Sequence, residues 1–566
     1  MANDESADDF SIPHIVVIGG GYASLKLVKK LKSLIKKKKI NVTIICKTNY
    51  HSWHGFIGEM LTGRIQPGQL LSPVRRIFTP AKIHVGTVQI IDEEKKIVTV
   101  SRDIDGKQYD VNYDELVITL GTTDNSASYP GLKEHGFRLK KYDDCLQARS
   151  QIIRMFELAS ISDDEKERKE LLTFFVAGGG YSGTEVAGEI ADFVRLLCKS
   201  EFKEINRSEA KVVLVHSGDN LLPELQGHKS TMESAKSYPK LISYAERHVQ
   251  KLGVDLMLGK RVAAVTPRMV ELSDGERIPT RTVISVVGNI AHSLIANHPS
   301  IPTNERGKII ITPELKVQGM ENIWACGDCA NVPHIKGGYC PSNALFAMHQ
   351  GKHLAKNLKR TLVKNKDAVK FNYKGLGQGV SIGRRTAVGE LKGIQIKGKF
   401  AWIAWRWLLW QNIPTWDRRW RLLADWLIWP LVGRDIVDMS VKDSDDFEIK
   451  KVIYQPDEMI VVQGEMGHSL TLITEGKVDI WRDIDLDGIP DIEKTVSRGE
   501  WIGADPGDGI VRFSAKTSTM VKGFQVRIDE AENLKDMVSL LESVHADDGT
   551  EDSKTDLSSN KNQSAI

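Results

Sequence analysis

An α/β fold built on two strand–glycine-turn–helix units, the second inserted into the first, is the class this sequence predicts. Three observations predict it. The apolar run His14–Ile18 enters Gly19-Gly20-Gly21-Tyr22-Ala23-Ser24. A second apolar run, Leu171 to Ala177, enters Gly178-Gly179-Gly180-Tyr181-Ser182-Gly183. A late strand within Met320 to Ala330 closes on Gly327-Asp328.

The second turn is a full G-x-G-x-x-G. Gly178 permits the tight turn, Gly180 lets a pyrophosphate approach the backbone, and Gly183 lets helix and strand pack closely. The free N–H groups of the following helix face the phosphates. In the first turn Gly19 and Gly21 stand at the same places and Ser24 replaces the third glycine, a small residue that still allows close packing. One such unit suggests one dinucleotide; two suggest a pair of them, usually a flavin and a nicotinamide.

The remaining elements follow in order. Val42 to Ile45 reads as the strand whose end normally carries a ribose-binding acid. Here Cys46 and Lys47 stand there, leaving Thr48 or a backbone group for the hydroxyls. Lys36 to Lys39 reads as a solvated helix end and loop, with a membrane or phosphate role as the alternative. His84 to Val117 alternates like strands, with Asp105-Gly106 as a turn. Tyr113 to Gly121 is a strand closing on a glycine, and Asp143 to Ser160 has helical periodicity. Lys211 to Val215 ends at His216-Ser217 instead of an acid, and a polar helix pair is expected over Lys229 to Leu252.

Composition sets further bounds. A chain of 566 residues holds several domains, and a net charge of only +3 gives no reason to expect a nucleic-acid partner. Six scattered cysteines suggest a reducing compartment. The acidic start MANDESADDF is unlike a signal peptide, and no apolar run of about 18 residues predicts a membrane span.

Taken together, GGGYAS at Gly19, YDELVITLG at Tyr113, GGGYSGTEVAGE at Gly178, NIWACGDCA at Asn322 and SIGRRTAVGEL at Ser381 resemble the type II NADH:quinone oxidoreductases. These are single-subunit flavoproteins with two dinucleotide-binding domains, and the likeness covers about residues 12 to 440. It implies FAD held by Gly19, Gly21, Ser24, Gly121, Gly327 and Asp328. It implies NADH or NADPH held by Gly178, Gly180 and Gly183, and a catalytic carboxylate at Glu185, which shares a helix face with Glu189. The redox cysteine pair of the related disulfide reductases has no counterpart between Asn49 and Arg64. Cys326 and Cys329 have C-x-x-C spacing without a second pair at zinc spacing, so they read as small residues beside a flavin and no metal site is expected. Two positions depart from the family's quinone-site glutamines, Leu345 and His349, with Gln350 following. His216 and Ser217 tolerate a 2′-phosphate, which keeps NADPH open.

Between Trp402 and Trp429 lie Trp402, Trp405, Trp407, Trp410, Trp416, Trp420, Trp426 and Trp429, eight of the twelve tryptophans, with Arg406, Arg418, Arg419 and Arg421 interleaved. Two helices separated by Pro414, each with an aromatic face and an arginine edge, would lie in a membrane interface, with an intramolecular or dimer interface as the alternative. Beyond Met439, short strands between glycine turns resemble the β-roll of cyclic-nucleotide-binding domains. Ala504 stands where that family's ribose glutamate belongs, and Arg512 is a candidate phosphate ligand. Asp483 to Asp491 has calcium-loop spacing, but Lys494 occupies the twelfth position. The tail from His545 is polar and reads as disordered.

The segmentation expected is 1–11 disordered, 12–165 and 301–360 for FAD, 166–300 for NAD(P)H, 361–445 for membrane association, 446–542 for the β-roll, and 543–566 disordered. The expected function is hydride transfer from NAD(P)H to FAD and on to a quinone or other small acceptor. The protein would be peripheral, on the cytoplasmic face of a membrane, with a homodimer left open. The alternative is a catalytically degenerate flavoprotein serving as a membrane-associated sensor or scaffold.

Overall fold

The computed structural model describes residues 12–140, 142–227, 236–383, 385–434, 436–438, 450–464, 469–482, 492–504 and 510–527. The chain divides into two compact units, Met1–Val441 and Lys442–Ile566.

Two five-stranded parallel sheets organise the first unit. In one, the strand order is Ile323–Ala325, Glu115–Ile118, His14–Ile18, Asn41–Cys46, Lys82–Val85. In the other it is Gly136–Arg138, Thr282–Ser285, Thr173–Ala177, Lys211–His216, Val254–Leu258. All neighbours within both sheets are parallel. Strands covered on both faces need continuous apolar runs. Ile15 to Ile18 are fully buried, as are Phe174 to Ala177. In the second sheet, Phe174, Val176, Val212 and Leu214 enter one core while Phe175, Ala177, Val213 and Val215 enter another. That is the two-residue period of a strand shared between two layers.

The first sheet takes strands from both before and after the second, so the second is an insertion. Sequence segmentation begins the inserted part at 166. Gly136–Arg138 already pairs with Thr282–Ser285, so the crossing into the second sheet occurs earlier. A three-residue edge strand is too short to carry an apolar run, and its pairing is set by tertiary contact. The expected helix pair over 229–252 is a single described helix, Pro239–Lys251, opening on a proline in its first turn; residues 228–235 lie outside the described set.

Six helices bear on the site: α1 (Tyr22–Lys36), α2 (Ile57–Leu61), α3 (Tyr181–Ser200), α4 (Ala344–Leu358), α5 (Gly398–Asn412) and α6 (Trp416–Val432). Asn343 starts α4 by accepting the Phe346 N–H at 3.0 Å. Helices α1 and α4 touch backbone to backbone. A Cβ at Gly351 would sit 2.0 Å from the Ala23 carbonyl oxygen, so only glycine allows that approach. An antiparallel sheet of Thr87–Asp92, Ile97–Ser101 and Gln108–Asn112 adds Val98, Val100 and Val111 to the core of the first parallel sheet. No helix among the described residues is long and apolar enough to cross a membrane.

The second unit holds two four-stranded antiparallel sheets. Val452, Tyr454, Ile473, Val478, Ile502 and Val521 are among the side chains of its core. The 483–491 loop and the 505–509 segment, where a phosphate cassette is expected, lie outside the described residues, as does the polar tail.

Candidate active site: two glycine cradles and a buried carboxylate cluster

The first cradle begins where the His14–Ile18 strand ends. Gly19 has φ +103°, and a Cβ there would lie 2.5 Å from the Thr119 carbonyl oxygen. Gly21 caps α1 with extended backbone, no side chain caps the helix, and the first turn holds no acid to compete for its N–H groups. Ser24, fully buried, donates to the Gly19 carbonyl at 2.5 Å and lies 2.7 Å from Thr119 Oγ1. Its hydroxyl fastens the turn, which is how a serine serves at the third glycine position. An open cleft of ≈ 1130 Å³ lies against this turn, lined in part by Gly21, Cys46, Thr48, His51, Lys140 and His292.

Four observations fit that cleft to a dinucleotide: the helix N-terminus without a competing acid, the Lys140 ammonium, a buried acceptor at His51, and Gly20 closed against Cys46. Lys140 Nζ donates to the Thr122 carbonyl at 2.8 Å. Burial lowers its pKa while the charges of Asp124 and Asp328 raise it. His51 lies against the Gly20 carbonyl at 2.9 Å through Nδ1. Burial holds it neutral, with its pKa pushed down to about 4, so Nδ1–H donates and Nε2, which has no protein partner, is left as an acceptor. Burial pushes the Cys46 thiol up to about 12, so it is a neutral packing group. A Cβ at Gly20 would meet its Sγ at 2.7 Å. Thr48 Oγ1 donates to the Tyr50 carbonyl at 2.7 Å, which leaves its lone pairs for a ribose hydroxyl. Gly121 and Gly327 both need positive φ, +70° and +86°. Burial raises the Asp328 pKa, opposed by Lys308 and Lys140.

The second cradle is stricter. Gly178 has φ +114°, and a Cβ would lie 2.5 Å from the Val286 carbonyl oxygen. A Cβ at Gly183 would lie 1.7 Å from the Gly178 carbonyl oxygen, so this position admits no side chain. Gly180 caps α3. Sequence reasoning missed Glu224, on the turn Pro223–Leu225. Its Oε1 accepts the Tyr181 N–H at 3.0 Å and would meet a Gly180 Cβ at 2.8 Å. A carboxylate thus occupies the helix end where a pyrophosphate would land, and burial raises its pKa. His216 Nδ1 accepts the Gly179 N–H at 3.2 Å, and burial holds the ring below its ordinary pKa.

Farther along α3, Glu185 and Glu189 face α2 across Gly58. A Gly58 Cβ would stand 3.2 Å from Glu189 Cγ and 3.3 Å from Glu185 Cγ. Burial first, then the charges of Glu189 and Glu59, push Glu185 well above the usual carboxylate range. Around it runs an ion network. Arg64 pairs with Glu189 at 3.2 Å and with Asp192; Arg434 pairs with Asp192 at 2.6 Å; Arg406 pairs with Glu59 at 2.8 Å. Burial pulls Asp192 upward, but Arg64 and Arg434 overcome it and hold its pKa low. Arg406 lies between the Trp402 and Trp426 rings, 4.3 and 4.0 Å from their centroids. The expected arginine edge of α5 is corrected here: Glu59 draws Arg406 inward.

Three more candidates from the sequence take structural roles. Gln350 accepts the Gly327 N–H at 2.8 Å and is buried; it fixes the turn before Asp328. His349 stacks on Tyr373 with ring centroids 3.7 Å apart, and Leu345 packs against the core beside α3. Cys329 Sγ donates to the Cys326 carbonyl at 3.5 Å and to that of Ile118 at 3.7 Å. Both thiols are buried and free, and among the described residues no group of three or more His, Cys, Asp or Glu could hold a metal ion.

The sequence profile of the pyridine nucleotide-disulphide oxidoreductase family matches residues 13–351. The chain belongs to this family. It is an oxidoreductase whose cofactors are FAD and NADH. The type II NADH:quinone oxidoreductase Ndh of Mycobacterium tuberculosis is 27% identical over 403 residues, covering 69% of this chain and 82% of that protein. A probable NADH dehydrogenase of Dictyostelium discoideum is 26% identical over 427 residues, covering 75% and 90%. The fold is similar to that of NDH2 from Plasmodium falciparum, solved in complex with NADH, with TM-score 0.68 at 18% identity, covering 75% of this chain and 99% of that one. Within this family, the chain runs without a cysteine from Asn49 to Arg64.

Two outcomes follow from the cluster. A carboxyl whose pKa is raised by folding holds its proton in the native state, so stability falls as pH climbs from about 4.3, the unfolded value, through the raised value. Glu185→Gln stays neutral and escapes that loss. The gap in unfolding free energy between variant and wild type, followed by denaturant titration, should widen with pH by up to about 1.4 kcal/mol per unit. Arg406→Met leaves Glu59 buried without its partner and should cost about 3–5 kcal/mol. Adding Glu59→Gln should restore most of it, as read from the same titrations.

Proposed function

We propose that this chain is a flavin-dependent NADH dehydrogenase that delivers electrons to a quinone at a membrane surface. The observation that carries the proposal is the buried carboxyl of Glu185, held under Gly58 on the helix that the second cradle begins. Gly19, Gly21, Ser24, Gly121, Gly327 and Asp328 hold FAD, which when bound accepts a hydride from the nicotinamide and returns two electrons to the acceptor. Gly178, Gly180 and Gly183 hold the nicotinamide nucleotide's pyrophosphate.

Quinone reduction by NADH consumes one proton beyond the hydride. Glu185 is the group that holds it, because burial and its carboxylate neighbours keep it protonated where an exposed glutamate is ionised. Arg64 and Arg406 keep the neighbouring carboxylates in place, and the apolar packing of α2 on α3 excludes water. NADH is favoured over NADPH. The neutral His216 ring offers no charge to a 2′-phosphate, and Lys260, whose backbone N–H donates to the His216 carbonyl at 3.2 Å, has its ammonium tied to Asp274 at 2.8 Å and to Glu276.

The membrane reading rests on α5 and α6. Phe400, Ile403 and Trp407 are exposed at i, i+3 and i+7 of α5; Trp416, Trp420, Leu427 and Leu431 are exposed at i, i+4, i+11 and i+15 of α6. Each set is one helical stripe, suited to lie in the headgroup layer of the cytoplasmic face. The two antiparallel sheets of the second unit support a β-roll that regulates or docks. Ala504 is buried where a ribose-binding glutamate is expected, so a cyclic nucleotide would lack that contact.

Purified protein should show a flavin absorption band, bleach with NADH faster than with NADPH, and recover when a quinone is added. A colourless protein that binds neither nucleotide would overturn the proposal and leave the sensor or scaffold reading. Glu224→Gln keeps an oxygen at the α3 cap but removes the charge facing the incoming pyrophosphate. Steady-state kinetics should give an NADH KM about fivefold lower, with kcat unchanged.

A further inference from the structure

A second cavity, of ≈ 180 Å³, lies between α1 and the turn joining α5 to α6. Lys26, Lys29 and Lys32 line it from α1, at i, i+3 and i+6; Arg76 adds a fourth cation, and Asn412 and Arg419 close it from the turn. No acidic side chain lines it. Arg76 has a carboxylate partner, Asp417 at 3.4 Å. Among the described residues Lys26, Lys29, Lys32 and Arg419 have none within ion-pair distance. Lys26 is half-buried and its Nζ reaches only Asn412 Oδ1, at 3.5 Å. Burial, then the charges of Lys29 and Arg419, lower its pKa. Arg419 spends its Nε on the Ile413 carbonyl at 2.8 Å, which aims a rigid guanidinium and leaves its terminal nitrogens free. Crowded cations, all but Arg76 without a carboxylate partner, around a concave space are complementary to a bound anion, and an arginine fork beside lysines suits phosphate oxygens.

We infer that this cavity is a binding pocket for the phosphate of an anionic membrane phospholipid, a site that rests on the membrane reading of α5 and α6. Exposed indoles on the same helix pair select the lipid over a free anion. Trp416 and Trp420 flank Arg419 in sequence and are exposed, as is Trp407 on α5. A phosphate seated against Arg419 would place its acyl chains beside these indoles, which prefer the headgroup level. Anionic lipid would then fix the orientation of the protein on the bilayer, in addition to strengthening adsorption.

Co-sedimentation of the flavin-loaded full chain with phosphatidylcholine vesicles, with and without phosphatidylglycerol, tests this. Phosphatidylglycerol should tighten binding by about tenfold or more. Lys29→Glu with Lys32→Glu, both exposed on α1, should lose most of that gain and retain flavin reduction by NADH in solution. Lys36→Glu with Lys39→Glu applies the same charge change at the far end of α1 and should keep the gain. Equal losses in the two double variants would overturn the pocket in favour of diffuse attraction. Inorganic phosphate abolishing the phosphatidylglycerol gain at matched ionic strength would overturn the lipid in favour of a free anion. A wild-type protein that binds both vesicles equally would overturn the pocket alone. One that binds neither would overturn the membrane reading with it.

Discussion

Burying ionisable groups in a protein interior is costly unless each charge is neutralised or paired, and this constraint shapes the first unit. Glu59, Glu189 and Asp192 lie together with Glu185 between α2 and α3. Their partners come from distant parts of the chain: Arg64 just after α2, Arg406 on α5 and Arg434 beyond α6. The ion network therefore joins the first sheet's segment, the inserted segment and the C-terminal helices of this unit at one place. Glu185 is left without an arginine of its own, and burial with its carboxylate neighbours drives its pKa well above the usual carboxylate range. Structure and chemistry share a cause here. The same desolvation that requires the arginines gives the unpaired member its proton.

The two cradles show how one motif is built to different tolerances. In the second, the Gly178 carbonyl fills the space a Gly183 Cβ would need, so the fingerprint is intact. In the first, the corresponding space accepts a hydroxymethyl group, and Ser24 uses it to hydrogen-bond the turn. The ribose acids are absent from both strand ends for separate reasons. Cys46 packs under Gly20, and His216 accepts the Gly179 N–H. At each place a packing or backbone contact stands where a charged ligand contact is usual.

The strands, both turns and the helix pair around Pro414 were legible in the sequence, because apolar runs, glycine fingerprints and aromatic periodicity are local signals. Glu185 was legible only through resemblance. What escaped was everything that depends on contacts between remote segments. Nothing local pairs Glu59 with Arg406, although a glutamate among Phe56, Ile57 and Met60 is the kind of charge in an apolar stretch that asks for a partner. Gln350 follows the two departing positions in sequence; its buried bond to the Gly327 N–H is invisible without the fold. Glu224 lies 43 positions from Tyr181, at the helix start it caps, and a short proline turn gives no hint of that reach.

The place of Arg406 bears on modularity. Helix α5 turns an aromatic stripe outward and, from the same turns, sends a guanidinium between Trp402 and Trp426 to Glu59. The helix pair is thus not an appendage that evolution or a protein engineer can exchange freely for another anchor. A graft that keeps the outward stripe but loses the inward cation would strand a charge in the buried carboxylate cluster. Recombination of such segments among relatives is constrained from the inside, by a residue that the surface pattern does not reveal.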